Sequence, residues 1–266
     1  MVSIIVSATS DIGAALCEDW RASGEEVVGT FRDAQSVAIL EALGVSLIHC
    51  DLASSVSRVA CINTLIESVR KKPWEKLVLA AGTQTPVGFF SDNDFGAWRE
   101  SIEVNFLSQT EILHALLPHA KPSARVLFFA GGGTNGAVPR YSGYTIAKVA
   151  SIKLCELLAE ENPNIAFSSL GPGWVRTKIH QETIDAGQSA GDNLVRTQQK
   201  LASDDMVSMH HVVETINRLM SMSVTSVSGR NFSAVNDPLF DDRLIRRLED
   251  NKNLFKLRRD GNDLML

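Results

Sequence analysis

Short β-branched and apolar runs alternate with segments of helical periodicity along almost the whole chain. Ile4–Val6, Glu26–Thr30, Val45–Cys50, Lys76–Ala80, Arg125–Phe129, Ala166–Leu170 and Asn231–Val235 read as strands. They are nearly continuously apolar, as strands covered on both faces must be. Helical spacing occupies residues 12–22, 34–43, 54–71, 95–118, 142–161 and 206–222. Gly24 and Gly44 fall where a helix should stop, Asp11 and Ser54 where one should start. This alternation predicts an α/β fold, a doubly wound parallel seven-stranded sheet with helices on both faces and right-handed crossovers. No linker, repeat or low-complexity tract interrupts it, so residues 1–240 read as one domain.

Two stretches leave the rhythm. Residues 176–205 are polar and hold Gly187 and Gly191, which predicts a lid or a disordered insert. Residues 241–266 form a charged C-terminal extension, an arm or lid rather than a second domain. Arg243 to Arg259 carries seven Arg or Lys against Glu249 and Asp250. That pattern reads as a solvated amphipathic helix or subunit arm ahead of a phosphate-binding segment.

Composition narrows the function classes. The 266 residues are 44% hydrophobic and 21% charged, with a net charge of −5, which speaks against nucleic-acid and anionic-membrane partners. Cys17, Cys50, Cys61 and Cys155 are scattered without a C-x-x-C pair, so neither a metal site nor a disulfide framework is expected. Residues 2–6 are too short for a signal-peptide core, and no apolar run could span a bilayer. A cytoplasmic protein acting on a small molecule is the expectation.

The first candidate chemistry lies after the first strand, at Ser7-Ala8-Thr9-Ser10-Asp11-Ile12-Gly13. A strand, a turn of small residues and a helix N-terminus present free backbone N–H groups to an anion. At the first βα junction of a doubly wound, Rossmann-type sheet this is where a dinucleotide pyrophosphate binds, which makes Ser7, Thr9, Ser10, Asp11 and Ile12 candidate contacts. The second strand ends Thr30-Phe31-Arg32, with no acid to take ribose hydroxyls. A cation there would pair with a 2′-phosphate, so NADP(H) is expected over NAD(H), with Asp33 beginning the next turn.

The chain has two tyrosines, Tyr141 and Tyr144, both at the opening of the fifth helix. Tyr144 and Lys148 are four residues apart on one helical face. A nearby cation is expected to draw the phenol pKa towards neutrality and fit it for proton exchange with a substrate oxygen. Lys148 can also reach cofactor ribose hydroxyls.

With Asp51-Leu52 after the third strand, Ala80-Ala81-Gly82 after the fourth, Asn105 in Val-Asn-Phe, and Pro172-Gly173 with Thr177, these motifs resemble the short-chain dehydrogenase/reductase family from Met1 to about Val235. The resemblance implies an NAD(P)-dependent oxidoreductase passing hydride between nicotinamide and a carbonyl or carbinol carbon. Tyr144 would be general acid in reduction and general base in oxidation. Asp51 and Leu52 would hold the adenine, and Ala81 and Gly82 would line the cofactor. Asn105 would anchor a water behind Lys148, and Pro172, Gly173, Val175 and Thr177 would contact the nicotinamide end. A homodimer or homotetramer through helices such as 95–118 and 142–161 is also implied.

Three departures stand against that pattern. Ser7 and Asp11 replace glycines of the turn, with Asp11 able to serve as N-cap or to suit the helix dipole. Leu79-Ala80 replaces an Asn-Asn pair. The family's catalytic serine falls at Gly131, thirteen residues before Tyr144. Thr134 is the preferred substitute, with Ser142 or backbone N–H groups of the glycine run as alternatives. The competing reading is a non-catalytic dinucleotide-binding sensor or subunit.

The Gly131-Gly132-Gly133 loop, Arg140-Tyr-Ser-Gly-Tyr144 and Gly229-Arg230 are similar to a subgroup linked to bacterial polysaccharide and sugar-nucleotide biosynthesis. That implies a sugar or nucleotide-sugar substrate, and the basic tail would suit a diphosphate. His210-His211 reads as surface rather than metal-binding, and Trp174 as pocket lining or packing.

Overall fold

The computed structural model describes residues 2–259. Seven strands form one sheet: β1 (Val2–Val6), β2 (Glu26–Phe31), β3 (Ser46–His49), β4 (Trp74–Leu79), β5 (Ala120–Phe129), β6 (Ala166–Gly171) and β7 (Arg230–Ser233). Every pairing is parallel, in the order β3-β2-β1-β4-β5-β6-β7. The helices are α1 (Asp11–Ala22), α2 (Val37–Ala42), α3 (Ser55–Arg70), α4 (Phe95–Ile102), α5 (Ser108–Leu116), α6 (Ser142–Glu161), α7 (Ile179–Ala186), α8 (Asp192–Ala202), α9 (Met209–Ser221), α10 (Val224–Val227) and α11 (Asp242–Asp250). The α/β, Rossmann-type sheet expected from the sequence is therefore the observed one.

Alternation along β1 explains the two cores. Ile5 packs with Leu16, Trp20, Leu127, Leu170, Ile216 and Phe232. Ile4 and Val6, pointing the other way, pack with Leu65, Trp74, Leu77, Ile112 and Phe128. Because β1 lies between β2 and β4, the chain reverses its winding there. The crevice at the carboxyl ends of β1 and β4 is where such sheets take ligands.

Several expectations need correction. Ser10, not Asp11, is the N-cap of α1, its side chain accepting from Gly13 N–H; Asp11 is the first helical residue, a placement that suits the dipole. The segment 95–118 is not one helix: a π turn at Glu103–Leu107 separates α4 from α5, and a 3₁₀ turn follows at Leu117–His119. Gln109 Nε2 supports the π turn by donating to the carbonyls of Val104 and Asn105. The segment 176–205 is not a disordered insert. It forms α7 and α8 joined by a 3₁₀ turn, with Thr183, Ala190 and Thr197 buried. β5 starts at Ala120 rather than Arg125, extending alongside Trp74.

The charged extension docks on the sheet through α11, where Leu244 and Leu248 are buried. The buried Arg230 guanidinium donates to the carbonyls of Leu248 (2.5 Å), Leu254 (2.9 Å) and Asn251 (3.1 Å). Arg258 pairs with Glu156 on α6 (2.7 Å) and Arg243 with Asp241 (2.5 Å). Arg243 and Arg258 are thus each engaged by a carboxylate. Residues 260–266 of the extension lie outside the described residues. No helix among the described residues is long and apolar enough to cross a membrane.

Candidate active site

The turn after β1 is drawn tight by its neighbours. Ser7 N–H donates to Thr30 Oγ1 (2.9 Å) and Ala8 N–H to Thr30 O (2.7 Å). Ser7 has φ +66°, the left-handed conformation that a glycine normally supplies. A Cβ on Gly13 would come within 2.5 Å of Ser7 O, so the turn can close onto α1 only with glycine there. Asp11 and Ile12 stand in the first turn, whose N–H groups have no intrahelical partners. Together with Thr9 and Ser10 this is a cradle of small residues and backbone donors, and it fits a dinucleotide pyrophosphate.

Arg32 stands at the end of β2, but as a bidentate partner of Asp33 (2.8 and 2.9 Å) rather than as a free cation. Both side chains are about 70% exposed (69% and 70%), so water screens the pair and opening it costs about 0–1 kcal/mol. At the end of β3, Asp51 Oδ1 accepts from Ala53 N–H (3.0 Å). The buried Leu52 offers its carbonyl to Ser108 Oγ (2.7 Å) and Arg58 Nη1 (2.6 Å). Arg58 continues to Glu103 (2.8 Å) and Glu111 (2.7 Å), tying β3 to the π turn.

Asn105 sits in that π turn and is fully engaged. Its Nδ2 donates to Thr83 O (2.8 Å) and Ser101 O (2.9 Å), and its Oδ1 accepts from Thr83 N–H (3.0 Å). Lys148, buried on α6, donates to Ala81 O at 3.1 Å. Burial pushes its pKa down to about 8. Its Nζ lies 5.7 Å from the centre of the Tyr144 ring. The phenol is not drawn towards neutrality as the spacing suggested. Burial first, and the charge of Glu182 second, push it up to about 12. Lys148 is directed to a carbonyl here, so its charge does not offset those two effects.

Gly131 explains where the phenol rests. A Cβ at 131 would meet Tyr144 Oη at 2.6 Å and Cζ at 2.8 Å. The hydroxyl therefore lies in the volume that a serine side chain would fill. Thr134 Oγ1 donates to Gly131 O (3.3 Å), and Ser142 Oγ accepts from Trp98 Nε1 (3.0 Å). We expect Gly131→Ala to overpack this contact and lower stability by about 1–2 kcal/mol in urea denaturation; an unchanged midpoint would mean that the ring moves aside freely.

After β6, Pro172 leads into Gly173 (φ +79°) and Trp174, which stacks on His180 (5.1 Å between ring centres). Val175 is buried; its carbonyl accepts from Thr177 Oγ1 (3.3 Å) and meets His180 Nε2 at 2.8 Å. His211 Nε2 contacts Ala234 O (2.9 Å), whereas His210 lies on the surface, 3.6 Å from Glu214.

Residues 6–234 match the family model described as enoyl-(acyl carrier protein) reductase. The chain belongs to the short-chain dehydrogenase/reductase family. An uncharacterized oxidoreductase of Schizosaccharomyces pombe is 29% identical over 121 residues, 45% of this chain and 48% of that protein. The chain spans about half the length of the first curated relatives it matches (48% and 56%). A short-chain dehydrogenase/reductase of Saccharomyces cerevisiae shares the fold at TM-score 0.79 and 21% identity, covering 91% of this chain and 98% of its own. A short-chain dehydrogenase of Burkholderia cenocepacia in complex with NADP does so at TM-score 0.71 and 19% identity, covering 87% and 94%.

Within this short-chain dehydrogenase/reductase, the structure gathers Ala81, Gly82, Asn105, Gly131, Tyr144 and Lys148 at the carboxyl ends of β4 and β5. Ser7–Ile12, Arg32, Asp51–Leu52 and Pro172–Thr177 follow the ends of β1, β2, β3 and β6. Sequence reasoning gave Tyr141 no role and missed Arg58, Glu182 and Thr183. Tyr141 Oη and Thr183 Oγ1 are 2.8 Å apart, joining α6 to α7. Helical spacing of Ile179, Thr183 and Ala186 was the signal available, obscured by the polar composition around it.

Proposed function

We propose that this protein is an NADP(H)-dependent oxidoreductase that interconverts a carbonyl and a hydroxyl group on a small molecule. The observation that carries the reading is the pairing of half-buried Tyr144 with buried Lys148 beside Gly131, at the carboxyl ends of β4 and β5. When bound, the nicotinamide supplies or accepts the hydride. Ser7, Thr9, Ser10, Asp11 and Ile12 would hold the pyrophosphate, Asp51 and Leu52 the adenine, and Pro172–Thr177 with Ala81 and Gly82 the nicotinamide end. Arg32, released from Asp33 at little cost, would meet a 2′-phosphate; the NADP complex of the Burkholderia protein supports that preference.

In reduction, Tyr144 gives its proton to the substrate oxygen, and in oxidation it takes one back. A phenol held near 12 rests protonated, which suits the reductive direction. Lys148 carries its charge below about pH 8 and loses it above. Reductive kcat/KM should therefore be level up to about pH 8 and fall beyond it; a profile still level two units higher would show that the ammonium is dispensable. Thr134 is our candidate for the second contact to the substrate oxygen, and Thr134→Val should slow turnover without weakening NADPH binding. Exposed Leu107, Ile146 and Leu157 support a homo-oligomer, which sedimentation should show.

Gly131 favours a second reading, a dinucleotide-binding sensor without catalysis. Titration of tryptophan fluorescence with NADPH and NADH, followed by a carbonyl panel including sugars and nucleotide sugars, separates the two. We expect NADPH to bind about tenfold more tightly than NADH, a difference of about 1.4 kcal/mol, and at least one carbonyl to be reduced. Equal affinities would reject the cofactor preference, and tight binding without turnover would favour the sensor.

A further inference from the structure

Helix α7 is fastened across the crevice that the dinucleotide would enter. At its start, Lys178 N–H donates to Asp11 Oδ2 (2.7 Å), on the first turn of α1. One turn further on, Glu182 Oε2 accepts from Thr83 Oγ1 (3.1 Å), Thr85 N–H (3.2 Å) and Gln84 N–H, all on the loop after β4. Thr183 Oγ1 adds a bond to Gln84 Oε1 (2.8 Å). Between these fastenings, Ile179 Cδ1 lies 3.6 Å from the position of a Cβ on Gly82, and Lys148 Nζ lies 3.7 Å from the same point. The two loops so bridged are those flanking the ligand crevice of an open α/β sheet. On the dinucleotide-binding reading, a cofactor running from the β1 turn to Lys148 passes Gly82, beside which Ile179 now lies.

We propose that Glu182 is a positioning residue that holds α7 shut across this crevice, and that dinucleotide binding releases its carboxylate from the 83–85 loop. The inference rests on the dinucleotide-binding reading above. Glu182 is half-buried, and three donors compensate its lost hydration while α7 is shut. Lifting α7 returns the carboxylate to water and frees those donors for other partners. The apparent affinity for cofactor is then the intrinsic affinity scaled by the fraction of molecules with α7 lifted.

The test combines NADPH titration of wild type, Glu182→Ala and Thr83→Val with hydrogen exchange of α7 amides in the ligand-free proteins. Weakening the latch should lower the NADPH Kd about tenfold in Glu182→Ala and about threefold in Thr83→Val, and α7 should exchange faster in both. Thr83→Val keeps the Glu182 charge. Tighter binding confined to Glu182→Ala would therefore mark simple charge repulsion and overturn the latch. Faster exchange with weaker binding would mark a purely structural residue, and unchanged Kd and exchange would also overturn the proposal. If neither wild type nor variants bind NADPH or NADH, the oxidoreductase reading falls and this inference with it; if wild type binds and the variants match it, only the latch falls.

Discussion

Tyr144→Phe is expected to lower carbonyl reduction by about 10²–10⁴-fold, the range that a positioned proton donor contributes. The substitution removes one oxygen and keeps the ring that packs against Gly131. The fold and the cofactor cradle are therefore left intact, and NADPH affinity should stay close to wild type. The loss should appear in kcat and kcat/KM together, because proton donation is needed only in the transition state. A drop of less than about tenfold would assign the proton to another group.

Arg58→Ala should cost about 3 kcal/mol of unfolding free energy, since breaking a buried ion pair strands its partners. The Arg58 side chain is 9% exposed and serves Leu52 O, Glu103 and Glu111. The two carboxylates are partly exposed (31% and 45%) and can rehydrate, which places the effect at the lower end of the usual range. Leu52 would also lose one of its two anchors, so NADPH binding should weaken in the surviving folded protein. Urea denaturation checks the first effect; a loss below about 1 kcal/mol would reduce the network to a surface pair.

The sheet was legible because its strands are apolar on both faces and separated by clear stops such as Gly24 and Gly44. Tyr144, Lys148, Asn105 and the turn at Ser7–Gly13 were legible as spaced motifs. What escaped depended on contacts between distant segments. The π turn follows from Gln109 reaching backbone carbonyls, and periodicity alone shows only a helix there. Helix α7 is polar, and its order comes from Glu182 and Thr183 bonding to a loop about 98 residues away in sequence. The Tyr144 pKa was misjudged because spacing fixes the neighbour and not its direction: Lys148 turns to Ala81 O, leaving burial to dominate. The place of the phenol against Gly131 likewise needed three dimensions.

Hydride transfer by this protein is measured most directly with NADPH carrying deuterium on its nicotinamide, incubated with wild-type protein and the carbonyl panel. Deuterium should arrive on the former carbonyl carbon of at least one product, and Tyr144→Phe should suppress its arrival. Wild type that binds NADPH firmly yet leaves the label on the cofactor with every substrate would contradict the oxidoreductase reading.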